Sequence, residues 1–237
     1  MKHKLLFLSF ITAMLAVALP AISQNIEQEA QNIKITAREF RKEEVQQFQT
    51  KLQETRVQFQ KQKEEFKNKL EAARAEAKAK IEKQREELKT RLGKIKDEVK
   101  KQTIERIANQ INGLNEQMTK HFSDVLNKFD DVLGRISSRT DKAEANGRDV
   151  SAAKTAIAAA KTAIAAARSA IEVQSKKTYD ITISTEDALR RDVSKAREAL
   201  RADLVKVREV VFAARDAVHK AAVTLGQIQG INELEVQ

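Results

Sequence analysis

No cysteine occurs anywhere in the 237-residue chain. That excludes disulfide staples, thiolate metal centres, cysteine nucleophiles and a lipidated cysteine anchor. One proline and six glycines are too few to punctuate a fold of many short strands. The absence of tryptophan and an aromatic content of 4% mean that any core is built mainly from small aliphatic side chains. The sequence has no glycine-rich phosphate loop and no Gly-x-Ser-x-Gly. Beyond the leader the histidines are His121 and His219, each next to an apolar stripe and three residues from Asp124 or Asp216. Neither has a second histidine at helical spacing, so no zinc-type pair forms. Carboxylates are plentiful but spread over helix faces, so no acid–base pair stands out. The expectation is a non-enzymatic chain with no catalytic, cofactor-binding or metal-ligating set.

What is present begins with a leader. Met1–Lys4 is a basic MKHK, and Leu5–Leu19 follows with only Ser9 and Thr12 polar. Pro20 breaks the run, and Ala21-Ile22-Ser23 offers small residues at the positions a signal peptidase reads. Residues 1–23 are expected to be a secretory signal peptide, with Gln24 the new N-terminus and the protein exported. The alternative is a retained anchor, but the run spans only about 22 Å as helix against a hydrocarbon core of about 30 Å. Membrane association is expected only if this segment is retained.

The rest of the chain reads as helix. Alanine, lysine, glutamate and glutamine dominate, and all favour that state. Ile104, Ile107, Ile111, Leu114, Met118, Phe122, Val125, Phe129, Val132 and Ile136 recur at spacings of three and four. Asn146-Gly147 suits a left-handed C-cap, and Asp149 suits the next N-cap. Lys154–Ala160 reads KTAIAAA, and Lys161–Ala167 repeats it letter for letter. Ile157, Ala160, Ile164, Ala167 and Ile171 then form one seam of a bundle. Tyr179, Ile181 and Ile183 alternate with polar residues, the one strand-like stretch. Ser184 with Asp187 resembles a capping box opening a last helix, whose stripe runs from Leu189 to Leu225.

These lengths predict an all-α fold with coiled-coil-like packing. A basic helical stalk over 24–101 precedes a three-helix antiparallel-type bundle over 102–225, and 226–237 is a loose or extended tail. The three bundle helices can bury their stripes against one another, leaving the stalk without a partner in its own chain. Its apolar line, Val45, Phe48, Leu52, Phe59 and Phe66, with Phe40 preceding it, is expected to be a seam between copies in a homo-oligomer. Ile33–Lys101 holds 21 basic and 13 acidic residues, whereas Gln102–Gln237 holds 21 and 19. The stalk is therefore also the expected contact for an envelope polyanion. Sequence-specific nucleic-acid recognition is not expected, because acids interrupt the basic residues and no stacking platform is exposed.

Four segments carry a resemblance: REFRKEEVQQFQTKLQETR, GRDVSAAKTAIAAAKTAIAAA, KTYDITISTEDALR and VSKAREALRADLVKVREVV. In that order they resemble a group of exported helical proteins from uncultured bacteria with reduced genomes, and Lys177–Leu189 is the most specific piece. The resemblance covers most of the chain after the leader. It implies export and an all-helical fold, and no activity or site residues. The functional expectation is an exported structural or interaction protein of the periplasm, cell surface or medium. The alternatives are a holdase chaperone that grips unfolded envelope proteins between helical arms, and a secreted polyanion binder.

Overall fold

The computed structural model describes the backbone of residues 4–229 and the side chains of residues 28–229. The side chains of the expected signal peptide and the last eight residues of the expected tail lie outside the described residues. The described chain is all-helical, without strands: α1 (Lys4–Leu92), α2 (Glu98–Ala145), α3 (Ser151–Ser175) and α4 (Leu189–Gly226). It divides into two units, Met1–Lys51 and Leu52–Gln237. The first comprises the start of α1, and its side chains from 28 onward are exposed apart from half-buried Phe48.

In the second unit all four helices pack together, and this corrects the partnerless stalk. Phe66, Leu70, Ala73, Ala77, Leu88 and Leu92 of α1 are buried in the chain's own core. Three polar pairs set the register between α1 and α2: Lys63 with Asp131, Lys78 with Glu116 and Arg85 with Asn109. The members of each pair are equidistant in sequence from Asp97, so the two helices form an antiparallel hairpin around it. Asp97 caps α2 by accepting from the Val99 and Lys100 amides at 3.0 and 3.1 Å. The α1–α3 contact is parallel, with Lys161 over the Phe59 ring and Arg168 over the Phe66 ring, both at 5.4 Å. The three-helix prediction failed because it assumed that each bundle helix presents one face. Helix α2 presents a wider surface. Its buried line includes Asn115, Thr119, Leu126 and Leu133, and Val125, Phe129 and Val132 flank it half-buried. Leu114, read as a core position, is exposed.

The seam predicted in α3 lies in the core: Ile157, Ala160, Ile164, Ala167 and Ile171 are all buried. Alanine at every second contact lets α3 approach α2 and α4 with Cα atoms within 8 Å. The C-cap that ends α2 is also as read. Gly147 has φ +73°, a conformation that suits glycine, and its N–H donates to the Glu144 carbonyl at 2.8 Å. The Arg148 N–H donates to the Ala143 carbonyl at 3.1 Å, which completes a Schellman cap. The N-cap of α3 is Val150, one residue later than the Asp149 read from the sequence, and Asp149 accepts from the Ser151 N–H at 3.0 Å in the turn before it.

Helix α3 is too short to cover the whole of α2. Beside the first turns of α2, residues 177–185 run down in extended form. The alternation read as a strand is real in burial, since Tyr179 and Ile181 point inward and Thr182 outward. It is not a strand, because no second strand lies among the described residues. Helix α4 starts at Leu189, later than the capping-box reading at Ser184. The observed link is Asp192, whose carboxylate accepts from the Ser184 N–H at 2.9 Å and from its hydroxyl at 2.5 Å.

Candidate interaction surfaces

The line predicted as a seam between copies splits at the unit boundary. Val45 is exposed, Phe48, Leu52 and Phe59 are half-buried, and Phe66 is buried. Phe59 and Phe66 pack into the chain's own core and are unavailable as an intermolecular seam. Before Leu52 the helix leaves Ile33 69%, Ile35 51%, Phe40 62% and Val45 49% exposed. At about 100° per residue Ile33 and Phe40 fall within about 20° of each other and form a candidate contact face, while Ile35 and Val45 lie well round the helix from it.

The expected charge site also redistributes. On α1, Lys63, Lys78, Arg85 and Arg91 are tied to other elements or neighbours, and Lys80 holds Glu76 at 2.6 Å. The Glu87–Arg91 pair is 3.8 Å, whereas Glu65 pairs with Lys61 rather than Lys69. Residues 24–51 carry five basic and five acidic residues, so that segment has no net charge.

The extended segment is held by a polar knot that the apolar pattern did not reveal. Asn112 exchanges two hydrogen bonds with the Tyr179 backbone, accepting at 2.9 Å and donating at 3.2 Å. Asn115 donates to the carbonyls of Gln174 and Lys177 at 3.2 and 3.1 Å. Gln174 Nε2 donates to Asn115 Oδ1 at 2.8 Å and to the Tyr179 hydroxyl oxygen at 2.7 Å. That hydroxyl donates to Asp203 at 2.9 Å. Arg91 donates to Asp180 at 2.9 Å. Side chains thus satisfy a backbone that has no sheet partner. Burial, the larger influence, pushes the Tyr179 phenol well above its usual range. Burial also opposes the Asp203 charge, yet donation from Lys177 and Tyr179 outweighs it and holds that carboxyl below its usual value. The stripe read in the sequence passed through Ile111 and Leu114, so nothing in it marked the neighbouring Asn112 and Asn115 as packing residues.

A second buried polar group is the Asp130–Arg168 ion pair, with Asp130 2% exposed. Burial pushes its carboxyl up, and the Arg168 and Lys63 charges oppose that shift. The two histidines are exposed, His121 with its ring 6.0 Å from that of Phe122. Asp216, three residues from His219, accepts from Arg215 at 2.8 Å instead. Among the described residues no three His, Cys, Asp or Glu side chains converge as metal ligands, and no helix is long and apolar enough to cross a membrane.

Fold and surfaces together define an all-helical bundle protein whose polar knot is structural. No family model, curated protein or solved structure matches the chain.

Proposed function

We propose that this is an exported, non-enzymatic interaction protein of the cell envelope, self-associating through residues 28–51 of α1. One observation carries the reading. From Phe59 onward the apolar line of α1 is covered within the chain, whereas Ile33, Ile35, Phe40 and Val45, before it, are exposed. A helix of this length with Ile33 and Phe40 uncovered on one face, and with balanced charge, suits a second copy of itself. A polyanion would require the surplus positive charge that residues 24–51 lack. The stalk of the sequence reading is thereby shortened from 24–101 to 24–51. The holdase alternative has less support, because Phe59 and Phe66, its gripping residues, are occupied by α2 and α3.

The test is the solution mass of the chain from Gln24, by sedimentation, beside the variant Ile33→Gln/Phe40→Gln/Val45→Gln. The expected result is an elongated dimer or larger species that the variant reduces to monomer with an unchanged thermal midpoint. A monomeric parent chain would remove the reading.

A further inference from the structure

Five arginines of α4 lie in a row along the helix. Arg190, Arg197, Arg201, Arg208 and Arg215 are all exposed. At about 100° per residue they fall within about 40° of one another around the helix and extend for about 37 Å along it. The acids on the exposed side of the helix, Glu198, Glu209 and Asp216, lie at least about 60° further round. Of the five, Arg215 alone is in an ion pair, with Asp216. Every position in the row is arginine, and the lysines of α4, Lys195, Lys206 and Lys220, lie off it. Arginine presents a planar fork that meets phosphate oxygens two at a time, which a lysine ammonium cannot do.

Two apolar features accompany the row. Phe212 is 46% exposed, with the Arg208 and Arg215 guanidiniums 5.9 and 4.8 Å from its ring centre. At the N-terminal end of α4, Arg190 and Arg197 border a cleft of about 770 Å³ against α2. Val99, Ile104, Ile107, Leu189 and Val193 give it an apolar lining. Its remaining charged groups are Lys100, tied to Glu186 at 2.8 Å, and Asp187.

We infer that the α4 face is a docking surface for an anionic phospholipid bilayer. The row is straight and rigid, as a planar array of phosphates requires and a curving duplex does not. Phe212 is a single ring between arginines, suited to the headgroup boundary and too solitary to stack successive bases. The apolar cleft beside cationic side chains matches an acyl chain beneath its headgroup. The envelope reading supplies only the location of such a membrane. The surface itself stands on the arginine row and is independent of self-association.

The chain from Gln24, its apolar leader removed, is mixed with vesicles of phosphatidylcholine containing phosphatidylglycerol and with vesicles of phosphatidylcholine alone. Binding is expected only to the anionic vesicles. Replacing Arg190, Arg197, Arg201 and Arg208 by Gln should weaken it roughly a hundredfold or more. Replacing Arg56, Lys69, Lys83 and Lys195 by Gln removes equal charge elsewhere and should change binding by no more than a few-fold. Because the chain lacks tryptophan, Phe212→Trp is a unique reporter whose emission should shift to the blue on anionic vesicles. Equal loss in both charge variants, no blue shift, or capture by soluble heparin without vesicle binding would each overturn the inference. The vesicle and sedimentation measurements fail independently, so loss of one proposal does not remove the other.

Discussion

The side chains that decide most in this molecule are polar ones in buried places. Asp130 is nearly inaccessible and depends on Arg168 for its charge. Arg168→Ala should therefore cost roughly 3–5 kcal/mol, whereas the paired change Asp130→Leu with Arg168→Met should be near neutral. Denaturant midpoints of the two variants check this. Asp192 gives a pH prediction. Its hydrogen bonds from the Ser184 hydroxyl and N–H hold its carboxyl below the usual range. The stability it contributes is thus fully present above the ordinary aspartate value of about 4 and is lost as pH falls through its lowered folded value. Asp192→Asn should lower the thermal midpoint at neutral pH, and the gap to the parent should close as the solution is acidified below pH of about 4. A gap that stays constant with pH would show that the carboxylate charge does not matter.

Among the helices, α3 and α4 were the most legible in the sequence. Exact heptad repetition placed Ile157, Ala160, Ile164, Ala167 and Ile171 on one line, and every one is buried. Overpacking by Ala160→Leu should cost roughly 1–3 kcal/mol. The cavity left by Ile164→Ala should cost roughly 2–5 kcal/mol. Ala159→Leu, at an exposed position, should be nearly neutral in the same denaturant series. What could not be read was which helices meet. Three helices able to bury one another left α1 without a place, yet Phe66 and Leu70 join one buried cluster with α2, α3 and α4, and Leu88 and Leu92 join another with α2, α4 and Tyr179. Phe66→Ala should accordingly destabilise the isolated chain by roughly 3–5 kcal/mol, independent of its concentration. A seam between copies would instead make the loss concentration-dependent. The segment 177–185 was legible as alternation, but what holds it was not, because its partners are side chains of Asn112, Asn115 and Arg91 far off in sequence.

At the level of the whole molecule, α1 has two parts with different surroundings. Residues 52–92 belong to the folded unit, and residues 28–51 carry exposed apolar side chains. Amide hydrogen exchange along α1, followed at several protein concentrations, separates them in one measurement. Protection across 52–92 should be high and independent of concentration, set by opening of the bundle. Across 28–51 it should be low in dilute solution and rise with concentration as a second copy covers Ile33, Phe40 and Val45. Concentration-independent exchange across 28–51, or exchange across 52–92 as fast as in 28–51, would contradict the account.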